Sequence, residues 1–523
     1  MNLKVWQYSL ILLLISVLLC FVQLGGFPIY ILDEAKNATC AREMWEQNNW
    51  VVPTYNYELR TDKPPLHYYF MMLAYQCFGV SPFSARFFSA LLGISTVLIT
   101  FFYVKKWVAA ELAFWVGLIL LASLHWNFQF HLSVPDPYLI VCLTLAFFAF
   151  FTGIEYHSSR QLYLGYVAVA LATLSKGIVA IGLVGLVMLL YLIWSKKFTI
   201  KQLSQLRLLS GGLLFLAIAL PWYILVGYAT NGAWLEGFFF QHNFGRFSSE
   251  MEGHGGIFII TLAYVLLGML PFSIFLPQTL RWAWSATTNP LVRFSSLVVL
   301  VIIGFFSVSA TKLPNYTVPA YPFLAILLAC FLYQNTPTAL KKYRIGWNLA
   351  IWCLLTLVLN YFAQTNASLF VPRTTWTVFV FFLFTIGAII AGWAYWRTWN
   401  RTMFYALSVS AMLTTWSAFY WLLPAIFYHN SVEQSLEYIP NSSSVAHFRR
   451  MHPAFPFYIQ KPIPKLETQA EIVQFFEQYP DGRLFTFEKY LPDLETFASD
   501  LDTLWMQQDL FENTKTVVLK KGF

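Results

Sequence analysis

Long apolar runs broken by short polar stretches dominate the chain. A helix crosses a bilayer with about 20 mainly apolar residues. Runs of that kind fall at 8–27, 87–104, 110–126, 138–154, 161–174, 178–194, 209–228, 257–278, 291–308, 317–333, 347–363, 375–393 and 403–424. The pattern predicts about thirteen spans. The pair 161–174 and 178–194 is short, split only by Ser175-Lys176-Gly177, and fits a tight hairpin within the membrane. The longest early interruption is 28–86. Within it, Glu34–Gln47 reads as an amphipathic helix lying on the membrane and His67–Phe78 as an apolar-aromatic helix.

From about residue 428 the pattern changes. Gly482–Phe487 and Thr516–Leu519 alternate as strands do, whereas Ala470–Gln478 and Leu494–Gln507 read as amphipathic helices. The expected fold is an all-α polytopic membrane domain over 1–427, including an extracytoplasmic loop at 28–86. A small extracytoplasmic α/β domain follows over 428–523, and it carries no catalytic motif.

Composition agrees. The 523 residues are 58% hydrophobic and 11% charged, where soluble proteins carry roughly 25% charged residues. The net charge of +8 reports topology rather than nucleic-acid binding, because the cations sort by loop. Lys105, Lys106, Arg160, Lys196, Lys197, Lys201, Arg207, Arg281, Arg293, Lys341, Lys342, Arg344, Arg397 and Arg401 fall on alternate loops, which marks that side as cytoplasmic. Lys4 shares that side, and an odd number of spans sends the C-terminus outside. The first apolar stretch resembles a signal peptide but lacks a small-x-small cleavage site, so it reads as an uncleaved helix in the plasma (inner) membrane. Six cysteines show no metal or redox spacing; Cys40 and Cys77 share the first outer loop, and the sequence leaves open whether they pair.

Chemistry gathers opposite the cytoplasmic side. Asp33 and Asp136 lie in successive outer segments, and Lys36, Lys63, Lys176 and Lys312 recur beside outer helix ends. Cations on that face run against the positive-inside rule, so they invite an anionic partner: lipid headgroups or a bound phosphate. A lipid-phosphate sugar brings its own leaving group. Cations hold the phosphate as charge develops, and one carboxylate takes the acceptor's proton. A hydrolase with two carboxylates flanking a glycosidic bond is the alternative for the same residues. His254 in the third outer loop, together with an outer carboxylate such as Asp62 of the first, suits a divalent metal. In the fourth, Lys312 suits a phosphate and Tyr316 a hydrogen bond to it, against a plain interfacial kink with an aromatic anchor. Four N-x-S/T sequons, at Asn37, Asn315, Asn366 and Asn441, matter only in a host that glycosylates them.

The run Asp33-Glu34-Ala35-Lys36, then Ala41-Arg42-Glu43-Met44 and Asn49-Trp50-Val51-Val52-Pro53, resembles the first outer loop of bacterial GT-C membrane glycosyltransferases. The similarity is to the lipid A aminoarabinose transferase family within the dolichyl-phosphate-mannose protein mannosyltransferase superfamily. Asp62-Lys63-Pro64-Pro65, Asp136, His242…Arg246-Phe247, His254 and Lys312-Leu313-Pro314-Asn315-Tyr316 follow in that family's order, over roughly residues 1–330. The resemblance implies Asp33 as catalytic base and Asp136 as a second functional acid. It implies Lys36, Lys63, Arg246, Lys312 and Tyr316 around the donor phosphate, and Asp62 with His254 at a metal. Lys36 stands where the family has Arg. Asp62 replaces Glu, one methylene shorter, which weakens the metal expectation. The implied partners are a polyprenyl-phosphate-sugar donor and a lipid, glycan or protein acceptor. A transporter or flippase, and a polymerase of lipid-linked glycans, are the competing readings. The charges lie at helix ends rather than mid-membrane, which favours chemistry over transit.

Overall fold

The computed structural model describes residues 3–245, 256–371, 374–495 and 500–522. Each apolar run expected to span overlaps a helix, although the first helix ends at Cys20 and the run 257–278 is split among Ile259–Gly268, Phe272–Phe275 and Leu276–Ser285. Among the described residues eight helical stretches, short of the thirteen expected, are long and apolar enough to cross a membrane: Pro82–Val104, Asp136–Glu155, Ile200–Ala229, Pro290–Val308, Pro314–Gln334, Ile345–Thr365, Thr375–Trp396 and Asn400–Phe427. Shorter apolar helices, Val5–Cys20, Ala110–Ala122, Val179–Trp194 and Ile259–Gly268, pack among them, as does Ser159–Lys176. Helix Asp136–Glu155 is buried along nearly its whole length and lies at the centre of the bundle. It packs closely on Ser159–Lys176, and Gly153 permits this: a Cβ there would meet the Leu162 side chain at 2.6 Å. Close approach through small residues is how helices pack where lipid supplies no hydrophobic drive. Helix Ile345–Thr365 instead exposes Ile351, Leu354, Leu355, Val358 and Phe362 on the outside of the bundle.

The first loop folds into helix Leu32–Glu46, a short hairpin of β1 (Thr54–Tyr55) and β2 (Glu58–Leu59), and helix Leu66–Phe78. The expected surface helix is corrected. Glu34, Ala35 and the run from Asn37 to Met44 are buried. The C-terminal domain covers the side left to the headgroups in the sequence reading, and Ala35, Ala38, Ala41 and Met44 share one apolar cluster with Phe455, Phe457 and Ile463. Cys40 is buried, Cys77 is exposed, and both are free thiols.

Beneath this loop lies a buried ion pair. Arg86 donates from Nε and Nη2 to the two carboxylate oxygens of Glu34, each at 2.8 Å. Its remaining donors go to the carbonyls of Leu24, Phe27 and Pro28. Glu34 Oε1 also accepts from the backbone N–H and the hydroxyl of Ser133. Both side chains are fully shielded from solvent. One carboxylate thereby ties the first loop, the first span's exit, helix Pro82–Val104 and the segment before Asp136.

The C-terminal domain holds a five-stranded sheet in the order β4-β3-β5-β7-β6, with β3 Val445–Phe448, β4 Lys465–Leu466, β5 Arg483–Phe487, β6 Leu501–Gln508 and β7 Lys515–Lys521. β3 runs parallel to β4 and β5; β7 runs antiparallel to β5 and β6. Helix Gln469–Gln478, capped by Thr468 and Glu471, falls where expected. The expected helix over Leu494–Gln507 does not. A short helix ends at Glu495, and Leu501–Gln508 is an edge strand paired with β7. Leu501, Leu504 and Trp505 repeat at a helical interval, but backbone pairing in the hairpin overrides that spacing.

Replacing Arg86 with Met leaves a buried carboxylate uncompensated and costs about 3–5 kcal/mol. We expect a clear fall in melting temperature of the detergent-purified protein, partly restored in Glu34→Gln/Arg86→Met. Equal melting of Arg86→Met and wild type would refute the pair's structural weight.

Candidate active site

Asp33 and Lys36 lie in the first turn and a half of helix Leu32–Glu46, three residues apart on one face. Both are half-buried. Asn37, one turn on, donates to the Asp33 carbonyl at 2.7 Å. Its side-chain oxygen meets His67 Nε2 at 3.2 Å and accepts from Tyr68 at 3.3 Å. The turn that carries Asp33 and helix Leu66–Phe78 are thereby locked together. The next residue, Glu34, reaches Ser133, three residues before Asp136. The segments carrying the two acids therefore meet through one shared carboxylate.

Asp136 opens its helix and Lys176 closes the next one. An acid at a helix N-terminus and a cation at a C-terminus both suit the helix dipoles. They pair directly, Lys176 Nζ to Asp136 Oδ1 at 2.6 Å, with side chains only 13% and 6% exposed. Ser175 pins the same two ends by donating to the Pro135 carbonyl at 2.8 Å. Lys176 Nζ also lies 4.7 Å from the ring centroid of Tyr316. Tyr316 belongs to the tight 3-10 segment Pro314–Ala320, formed where the prolines interrupt the regular helix. Lys312 just before it is buried, its Nζ donating to the Ser309 carbonyl at 2.7 Å. Asp136, Lys176 and the Lys312–Tyr316 segment thus come together from three elements.

A second charged group forms around Asp62. Arg60 Nε lies 3.3 Å from its Oδ2 and His242 Nε2 2.9 Å from its Oδ1. His242 comes from the π-helical segment Gly237–Gly245. That segment docks tightly: a Cβ on Gly237 would meet the Thr61 hydroxyl at 2.6 Å, and Trp234 Nε1 donates to the Arg60 carbonyl. Burial alone would raise the Asp62 carboxyl, but the His242 hydrogen bond and the charges of Arg60 and Lys63 hold it well below the carboxylate range. Arg60 feels the charge of Asp33 as well as that of Asp62. Lys63 is buried. Burial first, then the positive charges of Arg60, Lys63 and Lys176, hold His67 well below its ordinary value and keep the ring neutral. First-loop cations and Lys176 therefore act on one buried imidazole.

Arg246 and His254 lie outside the described residues. Among the described residues no three His, Cys, Asp or Glu side chains cluster as metal ligands. Asp62 has the Arg60 guanidinium against it, which compensates its carboxylate, and its expected partner at a metal, His254, falls outside the described residues. Sequence reasoning flagged Lys176 only as an outer lysine and overlooked Arg60, His67 and Asn37. Lys176 had a signal, a lone cation between two apolar runs; His67 and Asn37 had none, because their partners lie 30 or more residues away.

The family model for dolichyl-phosphate-mannose-protein mannosyltransferase matches residues 62–225. An uncharacterized protein of Aquifex aeolicus is 31% identical over 305 residues, covering 58% of this chain and 68% of that protein. The undecaprenyl phosphate-alpha-4-amino-4-deoxy-L-arabinose arabinosyl transferase of Aeromonas salmonicida is 31% identical over 336 residues, covering 63% of this chain and 60% of the relative. The crystal structure of ArnT from Cupriavidus metallidurans bound to undecaprenyl phosphate superposes with a TM-score of 0.80 at 20% identity, covering 98% of each chain.

His67 supplies a test by acid. Its folded-state value lies below the ordinary 6.5, so the neutral ring's contribution is present above that pH and is lost as pH falls. Between pH 7.5 and 5.5 the wild type is expected to lose unfolding free energy. His67→Asn should lose less, by up to about 1.4 kcal/mol per pH unit. Identical acid sensitivity would mean that His67 protonates in the folded protein.

Proposed function

The chain belongs to the dolichyl-phosphate-mannose-protein mannosyltransferase family of GT-C membrane glycosyltransferases, and from that premise we propose that it moves a sugar from a polyprenyl-phosphate donor to an acceptor hydroxyl or phosphate at the extracytoplasmic face. The observation that carries the reading is the meeting of the Asp33 and Asp136 segments at the Glu34–Ser133 contact, with Lys176 bonded to Asp136 beside Tyr316.

Asp33 takes the proton from the acceptor O–H as that oxygen attacks the anomeric carbon. The bond from that carbon to the phosphate oxygen breaks, and the lipid phosphate leaves with the electron pair and an added negative charge. Lys63, Lys176 and Lys312 supply the compensating field in a site shielded from water, where such charges act more strongly than in bulk. Lys36 adds to the same field, and Tyr316 offers a hydrogen bond to the phosphate. Asp136 holds Lys176 in place. One displacement inverts the anomeric carbon. No step runs through a metal. An apolar groove of about 470 Å³ includes Thr173 and Ile178, which flank Lys176 in the chain, with Leu216, Leu220, Tyr223 and Phe239. It suits the isoprenoid tail.

The relatives' name specifies 4-amino-4-deoxy-L-arabinose on undecaprenyl phosphate. For this chain we take the same carrier class and a lipid A-like glycolipid as the first acceptor to test, ahead of a glycan or a protein hydroxyl. The transporter reading lacks support, because the site's charges lie at outer helix ends rather than along a path through the bundle. The polymerase reading differs only in acceptor.

Asp33→Asn should abolish transfer from a polyprenyl-phosphate-sugar donor while leaving membrane insertion intact; full activity would discard the base. Lys176→Met should lower kcat about a hundredfold, as losing one transition-state donor does, and Lys63→Ala should weaken donor use. Mass spectrometry of envelope lipids and glycoproteins from cells with and without the gene should show one sugar-bearing species disappear. Unchanged profiles in both fractions would argue against the proposed reaction.

A further inference from the structure

Tyr30 stands two residues before the helix that carries Asp33, and it is almost fully buried against the C-terminal domain. Its hydroxyl donates to Asp509 Oδ1 at 3.4 Å and accepts from the backbone N–H of Leu510 at 3.1 Å. Asp509 Oδ1 also accepts from Ser431 and, at 2.8 Å, from Thr516. Asp509 is 3% exposed, and its second oxygen has no hydrogen-bond partner. The four residues come from the first loop, the exit of the last span, the turn after β6 and the start of β7. His452 stacks on the Tyr30 ring at 4.3 Å, and Phe427 and Phe511 meet it edge-on.

A second clamp holds the other end of the loop. Asn56 exchanges two hydrogen bonds of 2.9 Å with the Ile463 backbone, and Tyr55 donates to the Pro453 carbonyl at 3.0 Å. Arg60, Asp62 and Lys63 follow within a few residues. A buried carboxylate and a phenol ring are a costly way to join two domains if all that is needed is attachment, because apolar contact suffices for that. Such a network favours one geometry, because Asp509 Oδ1 meets its three hydroxyl donors together only in that arrangement.

We propose that the C-terminal domain sets the position of the catalytic loop, with Tyr30 and Asp509 as positioning residues for Asp33. The inference rests on Asp33 as the base. Tyr30 fixes where the chain turns into helix Leu32–Glu46, and that turn determines the distance from the Asp33 carboxylate to the acceptor oxygen. Lys176 and Lys312 are on other elements and Lys63 follows the second clamp at Tyr55 and Asn56, so of the donor-phosphate groups only Lys36 shares the Asp33 helix, and kcat should fall more than donor affinity.

The test uses the full-length protein in lipid nanodiscs with a synthetic polyprenyl-phosphate-sugar donor. Tyr30→Phe deletes one oxygen and keeps the ring on His452. We expect kcat to fall about tenfold, the scale of a small misplacement of a reacting group. The donor KM should stay within about twofold, and the acid limb of the kcat–pH profile should hold its position. Asp509→Ala should match this loss, and Asp509→Asn, which keeps one accepting oxygen, should recover most of the rate. Wild-type kcat in Tyr30→Phe overturns the proposal, as does a raised KM with kcat unchanged or a loss that only follows the amount of folded protein. If Asp509→Ala does not fold, Tyr30→Phe alone decides. Asp33→Asn separates the two readings. Activity in Asp33→Asn removes the base assignment and this inference with it. An inactive Asp33→Asn beside a wild-type Tyr30→Phe removes the positioning role alone.

Discussion

The outer face hangs on the buried carboxylate of Glu34. A carboxylate shielded from water is stable only if its lone pairs are taken up, and Arg86 and Ser133 take them up from two separate segments. Arg86 in turn satisfies three carbonyls at the exit of the first span, where the helix has ended and its backbone would otherwise lack partners. The consequence is geometric. Asp33 precedes Glu34 and Asp136 follows Ser133 by three residues, so this ion pair brings together the segments that carry the two candidate acids. An unsatisfied charge there would cost more than most single contacts supply, which is why these elements have one arrangement.

Charges elsewhere follow the same rule with a different outcome. Opposite the site, Lys197 pairs with Glu155 and Arg401 with Glu111, in contacts at least partly open to solvent. Exposed pairs of this kind contribute little. At the site Lys63, Asp136 and Lys312 are buried, with 4–6% of their surface exposed. The fold concentrates shielded charge on one face and leaves screened charge on the other. Only the shielded set has a field strong enough to stabilise a departing phosphate.

The spans were legible because a bilayer imposes one length and one chemistry on every crossing segment. The acids and lysines of the candidate site stood out in the sequence because, on the topology expected from the loop charges, they break the charge rule for their face. Two kinds of feature were not. Helix Leu32–Glu46 has polar residues nearly all round, and a sequence cannot show that a domain more than 400 residues later covers it. Leu501–Gln508 carries helical spacing, yet its hydrogen bonds go to Lys515–Lys521, and pairing partners are not written in a local pattern. Lys176 lies between these cases. Its position at an outer helix end was visible, while its partner Asp136, 40 residues away, appeared only in three dimensions.

That partnership bears on how many acids the reaction uses. Two free carboxylates flanking a sugar would suit a hydrolase, with one as acid and the other as base or nucleophile. Here the second carboxylate is committed. Asp136 is bonded at 2.6 Å to Lys176, whose ammonium also faces the Tyr316 ring, so this carboxylate is already engaged by a neighbouring side chain. A leaving group that departs as a stabilised phosphate needs no proton, so one base is enough. With Asp136 committed to Lys176 among several shielded cations, the arrangement fits a single displacement on a lipid-phosphate sugar better than hydrolysis of a glycosidic bond.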